Sequence, residues 1–220
     1  MENQPIKTLY QGGSGEIVEK KSRFIATVES ITSEEEAFAF INRIKKQYWD
    51  ARHNCYAFVA GRNHGLQRFS DDGEPGGTAG RPMLDVLLKE DIHDVAVVVT
   101  RYFGGVLLGT GGLVRAYQKA AQEGLRNSLI IEKRQGRVLK IDTDYNGIGK
   151  IQYILAQQQI PTIGTSYTER VMAEVMAPME SLQKIQDAVT EATNGAARFQ
   201  VDEPVEFALI DGAVKIFKKN

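Results

Sequence analysis

Residues able to do chemistry crowd the stretch from Arg52 to Arg115, in three pieces. The first is Arg52-His53-Asn54-Cys55-Tyr56-Ala57. The second, Phe69-Ser70-Asp71-Asp72-Gly73-Glu74-Pro75, runs on to Gly80-Arg81-Pro82. The third, Thr100-Arg101-Tyr102-Phe103-Gly104-Gly105, runs on through Gly109-Thr110-Gly111-Gly112 to Arg115. The middle piece gathers the carboxylates of Asp71, Asp72 and Glu74 in a glycine- and proline-rich loop. Carboxylates this close can share a proton, act as a general base or bind Mg²⁺. Asp-Asp-Gly and Glu-Pro-Gly-Gly are equally the composition of a solvated turn. His53 is a further acid–base candidate, with His64 as its partner if the fold brings the two together.

The third piece reads as a buried strand, two pairs of glycines and a helix start. Free N–H groups at a helix N-terminus, approached by glycine backbone, attract anions, and Arg115 in the first turn adds charge. The alternative is that the glycines only let strand and helix pack closely. Two cofactor motifs fail here. Gly104 to Gly109 has Walker spacing, but Thr110 stands where the phosphate-binding lysine belongs. Gly109 to Val114 lacks the third glycine of a dinucleotide fingerprint. No cofactor is expected, and no metal ligand set is assigned. Six arginines, Arg52, Arg62, Arg68, Arg81, Arg101 and Arg115, are interleaved with Tyr56, Phe69, Tyr102 and Phe103. Guanidinium forks suit phosphates and exposed rings stack on unpaired bases, although Tyr56 and Phe103 on strands are expected to be core. The candidate binding set is Arg52, Arg81, Arg101, Tyr102, Gly104, Gly105, Gly111, Gly112 and Arg115.

Composition frames these candidates. The 220 residues carry 27 basic and 28 acidic side chains, so the bulk basic field of a general nucleic-acid binder is missing while a local basic patch is allowed. Ten of the thirteen arginines precede residue 136, and eleven of the 21 glycines fall between Gly61 and Gly112. The single cysteine, Cys55, has no disulfide or CxxC partner, which excludes a zinc cluster or redox pair. It is expected to be a buried small hydrophobe, and His93 a structural residue. The N-terminus lacks a signal-peptide pattern, and the densest apolar run, Val95 to Val99, is far too short for a membrane span. A cytoplasmic protein without membrane contact is expected.

The elements that must hold these residues follow from periodicity. Strands are predicted at 16–20 and 23–28 with a turn at Lys21-Ser22, then at 54–60 and 95–103. Ser33 and Glu36 form a capping box for a helix to Tyr48, with Ala37, Phe38, Ile41, Ile44 and Tyr48 on its buried stripe. Further helices are predicted at 80–89, with Pro82 in the first turn, and at 112–127. Beyond a boundary in the charged stretch 132–136, the order is strand 138–143, helix 147–158, strands 162–168 and 170–176, helix 178–193 and strand 197–201. This βαββαβ order is ferredoxin-like. The fold class is therefore α+β in two domains, 1–135 and 136–204, with 205–220 as an extension holding a strand at 213–217 whose pairing partner is unassigned.

The combination of Phe69-Ser70-Asp71-Asp72-Gly73-Glu74-Pro75, Arg101-Tyr102-Phe103-Gly104-Gly105 and the Gly109–Gly112 turn resembles the IMPACT family in its bacterial, YigZ-type form. The resemblance covers nearly the whole chain. It implies a first domain with the fold of the second domain of a small-subunit ribosomal protein. It implies a second domain similar to the last domain of the translocase elongation factor. It also implies a link to translation, since eukaryotic members bind a translational activator protein and restrain an amino-acid-starvation kinase.

Three functions are open at this stage. The first is a non-enzymatic binding protein acting on RNA, the ribosome or a translation-related protein. The second is a small-molecule enzyme with an anion site at Gly109–Arg115 and Asp71, Asp72 or Glu74 as base or Mg²⁺ ligand. The third is a protein–protein adaptor.

Overall fold

A computed structural model describes residues 4–61 and 63–217; Arg62 lies outside them. The chain forms two compact units, Ile6–Ile131 and, in the main, Glu132–Asn220.

The first unit is built on a five-stranded antiparallel sheet. Its strands are β2 (Ser14–Glu19), β3 (Ser22–Ser30), β4 (His53–Ala60), β5 (Leu66–Ser70) and β7 (Val95–Tyr102), in the order β2-β3-β7-β4-β5. Strand β7 lies at the centre, which explains its unbroken apolar run. Val95, Val97 and Val99 join one core with Cys55, Ala57 and Val59, while Ala96 and Val98 join another with Phe58 and Ala60. A strand covered on both faces has no polar side to show. Helix α1 (Glu34–Gln47) covers one face, and α2 (Gly80–Lys89) and α3 (Thr110–Arg126) cover the other. Short strands β1 (Ile6–Gln11) and β6 (Ile92–His93) pair in parallel at one side.

Several sequence expectations need correction. The tight turn of the first hairpin is Lys20-Lys21, both at positive φ (45° and 67°), one residue earlier than expected. On α1 the buried set is Ala37, Phe40, Ile41 and Ile44, with Phe38 exposed in place of Phe40. The Ser33 hydroxyl caps α1 by accepting the Glu36 N–H at 3.3 Å. The Glu36 carboxylate returns to the N–H and hydroxyl of Thr32 instead of Ser33. Helix α3 begins at Thr110, two residues before the expected start, so Gly111 and Gly112 belong to its first turn. Phe103 follows the last core position of β7 and is 55% exposed, not buried.

The second unit has the ferredoxin-like arrangement. Strand β8 (Leu129–Thr143) enters it and is followed by α4 (Ile148–Gln157), β9 (Thr162–Tyr167), β10 (Val171–Pro178), α5 (Leu182–Ala192) and β11 (Arg198–Ile210). The pairing order β9-β10-β8-β11 is antiparallel throughout. Its core joins Ile151, Leu155, Ile185 and Val189 of the helices to Leu139, Ile141, Val171 and Val175 of the sheet. The charged stretch 132–136 lies within strand β8, just after the division between the two units. Strand β12 (Ala213–Phe217) pairs with the far half of β11, which supplies the partner that sequence left unassigned.

Candidate functional site

The three loop carboxylates fold apart. Asp71 caps α2 from a distance, its Oδ1 accepting the N–H groups of Ala79 and Gly80 at 3.0 and 2.8 Å and its Oδ2 that of Gly77 at 2.8 Å. Helix α2 needs this, since its N-cap, Ala79, offers no side-chain acceptor and its first turn holds no acid. Asp72 accepts the Asn54 N–H at 2.7 Å and pairs with the Lys45 ammonium at 2.7 Å. Glu74 turns inward to Arg101. Among the described residues, none of the three belongs to a group of three or more His, Cys, Asp or Glu side chains whose ligating atoms lie within 4.8 Å of one another.

Glu74 and Arg101 anchor a buried polar chain. Arg101 Nη1 donates to Glu74 Oε1 at 2.6 Å, and the Tyr117 hydroxyl donates to the same oxygen at 2.8 Å. The Cys55 thiol lies 3.4 Å from the Tyr117 hydroxyl and donates to the Asp71 carbonyl at 3.0 Å. The Arg101 guanidinium sits 5.4 Å from the Phe24 ring centroid and 5.7 Å from that of Phe103, in cation–π range of both. Burial pushes the Cys55 thiol up to about 12 and raises the Tyr117 hydroxyl as well. A thiol held protonated this way is a poor nucleophile at neutral pH, in line with the expected buried role of Cys55.

Above this chain lies a cleft of about 420 Å³ between the start of β4, the acidic loop, the loop after β7 and the N-terminus of α3. Arg52, His53, Glu74, Arg101 and Thr110 contribute its polar wall, and Phe103, Leu107, Leu108 and Leu113 its apolar one. His53 Nδ1 is 2.9 Å from the Asp72 carbonyl. That acceptor assigns the ring proton to Nδ1 and leaves Nε2 as the acceptor. His64 stands beyond the other end of β4, so the two histidines are no acid–base pair.

The remaining predicted binding residues divide. Arg81 is on α2, bonded to Asp85 at 2.8 Å. The Tyr102 hydroxyl donates to Asp50 at 2.7 Å, and the Arg23 guanidinium lies over its ring. Gly104 presses on the β2–β3 turn: a Cβ there would stand 2.0 Å from the Lys21 carbonyl carbon. Gly105, at φ +84°, carries the chain out of β7. Arg115 lines a second cleft of about 220 Å³ with Lys20, Lys119, Gly112, Leu108 and Glu19. Leu108 lines both clefts, so the two adjoin. Sequence reading missed Lys20, Lys21, Lys119 and Leu107. The signals were present in consecutive lysines at a tight turn and in the Arg115/Lys119 pair at helical spacing.

The residues at 20–125 match the family model described as the Impact N-terminal domain, and 141–196 match a domain of unknown function, DUF1949. IMPACT family member YvyE of Bacillus subtilis is 43% identical over 196 residues, covering 89% of this chain and 90% of that protein. IMPACT family member YigZ of Escherichia coli is 36% identical over 179 residues, covering 80% and 88%. A crystal structure titled only as a hypothetical protein covers 91% of this chain and 98% of its own, at 31% identity and a TM-score of 0.57. With relatives this similar over nine-tenths of their length, and with both domain models matched in order, the chain belongs to the IMPACT family.

Proposed function

We propose that this chain is a non-enzymatic binding protein of the translation machinery that engages RNA on one face of its first unit. That face is made by the β2–β3 turn, the loop after β7 and the N-terminal half of α3. The carrying observation is the cationic cleft of Lys20, Arg115 and Lys119 beside the exposed side chains of Phe103 and Leu107. Lys21 follows Lys20 in the turn, and Gly104 packs against that turn, so the basic and apolar parts are neighbours. The N-cap of α3, Gly109, offers no side-chain acceptor and the first turn holds no acid, which leaves the helix N-terminus positive. Lysine and arginine neutralise phosphates, and an exposed ring stacks on an unpaired base. Arg101, 7% exposed in its ion pair with Glu74, supports this surface from the floor of the cleft. The link to translation rests on family membership and on the translational role that the family resemblance implies.

Binding is favoured over the enzyme alternative because Asp71, Asp72 and Glu74, the carboxylates that alternative relies on, each accept hydrogen bonds that hold the fold, and His53 alone of the acid–base candidates faces the cleft without such a role for Nε2. The test is binding of the full chain to single-stranded RNA and to ribosomes across a salt series. The double variant Arg115→Ala/Lys119→Ala should bind more weakly. Its slope of log affinity against log salt should be shallower by about 1.4–1.8, the value for two lost phosphate contacts. Binding that is absent at low salt, or that the double variant leaves unchanged, overturns the proposal.

A further inference from the structure

The cysteine count removes thiolate zinc clusters and leaves histidine untouched. His64, on the loop between β4 and β5, and His93, on β6, stack their rings with centroids 3.9 Å apart and planes within 10°. Asp91, in the turn after α2, places Oδ1 3.8 Å from His64 Nε2 and 3.5 Å from His93 Nε2. Among the described residues this is the one group of three side chains whose ligating atoms all lie within 4.8 Å. Donors around a tetrahedral zinc, at bond lengths of about 2.0–2.1 Å, are roughly 3.4 Å apart. The two separations from Asp91, 3.8 and 3.5 Å, are within a few tenths of an ångström of that edge.

We propose that His64, Asp91 and His93 form a binding site for a divalent transition-metal ion of the zinc type, with water completing the coordination. The donor set selects the class: two imidazoles and one carboxylate suit Zn²⁺, Co²⁺ or Ni²⁺, whereas Mg²⁺ and Ca²⁺ prefer all-oxygen sites. His93 is already prepared. Its Nδ1 lies 3.2 Å from the Gly61 carbonyl, and donating its proton there leaves the Nε2 lone pair toward Asp91. Such a backbone acceptor behind a ligating imidazole is the usual outer-shell arrangement. The His93 side chain is 7% exposed, which fixes it, while that of Asp91 is 77% exposed, which gives an ion its way in.

His64 is the part that adjusts. Its Nε2 donates to the Ile92 carbonyl at 3.1 Å. On binding, the ring carries its proton on Nδ1, gives up that bond and rotates out of the parallel stack so that Nε2 faces the ion. The ion would clasp the β4–β5 hairpin to the α2–β6 turn, which are joined in sequence only through β5 and α2.

Untagged full chain, freed of metal by a chelator, is titrated with Co²⁺ and then with Zn²⁺. The expected result is one-to-one binding with the intense visible bands of four-coordinate Co²⁺, bleached by Zn²⁺. Asp91→Asn keeps a residue that tolerates the observed φ of 52°, and His64→Ala removes a loop side chain, so both should fold with an unchanged circular dichroism spectrum. Each should weaken Zn²⁺ binding at least tenfold. Absence of saturable one-to-one binding, or a loss under tenfold in either variant, overturns the site and leaves a His–Asp ion pair.

Discussion

Glu74 and Arg101 meet at 2.6 Å with side chains only 3% and 7% exposed, 27 residues apart in sequence, and each spends its charge on the other. A carboxylate offered as a base and a guanidinium offered as a phosphate ligand thus neutralise one another beneath the cleft. The pair fastens the acidic loop to the end of β7, and the Tyr117 hydroxyl ties both to α3.

Removing one partner strands a buried charge. Arg101→Met or Glu74→Leu alone should cost about 3–5 kcal/mol of stability, and the double replacement distinctly less than the sum. Urea unfolding of the three variants checks this. Additive losses would mean that the pair is not coupled.

Asp71 and Asp72 should differ in kind. Asp71→Ala leaves three backbone N–H groups at the start of α2 without their acceptor, so a loss of about 1–3 kcal/mol is expected. Asp72→Asn keeps an acceptor for the Asn54 N–H and loses only the partly exposed pair with Lys45, for which about 1 kcal/mol or less is expected. Chemical denaturation midpoints distinguish the two.

Gly104→Ala places a methyl group against the backbone of Lys21, which cannot move aside as a side chain would. A destabilisation of about 1–3 kcal/mol or more is expected. Amide exchange at the Lys20-Lys21 turn should rise with it, because the turn is what must shift. Unchanged exchange there would show that the contact is relieved elsewhere.

Cys55 and Tyr117 both hold their protons more tightly in the folded chain than in the unfolded one. Below the ordinary cysteine value of 9.0 both states are protonated and this stability is fully present. As the pH rises from there toward about 12, the unfolded chain releases protons that the folded chain keeps. Stability therefore falls, by up to about 1.4 kcal/mol per pH unit for each group. Comparing urea midpoints at about pH 8 and about pH 10.5 tests this, and Cys55→Ala should reduce the fall. Slow alkylation of the native thiol is the companion expectation.

Local pattern carried much of the architecture. The unbroken apolar run of β7 announced a strand covered on both faces, and Ser33 with Glu36 announced α1, because both signals come from neighbouring residues. The βαββαβ order of the second unit was legible for the same reason, each element being long enough to show its own period. Short β1, β5 and β6 were not, since strands of two to six residues carry no distinct period and exist through their pairing partners. On α1 helical spacing allows either ring to face the sheet: Phe40 is buried in the core, while Phe38 packs edge-on against Tyr56 and Phe58 with its outer side exposed.

Sequence by itself determined the family, the α+β class and that no disulfide can form within the chain, because these rest on residue identity and spacing along the chain. Tertiary structure alone decided the fates of the chemical groups. Three acids within four residues went to a helix cap, a lysine and a buried arginine, donors that the packed elements bring to the loop. Lys20 came to Arg115 and Lys119, and His64 to Asp91 and His93, across separations in sequence that no local pattern encodes. Charge and ligand chemistry depend on distances of a few ångströms, and those distances are set by how strands pair and helices pack.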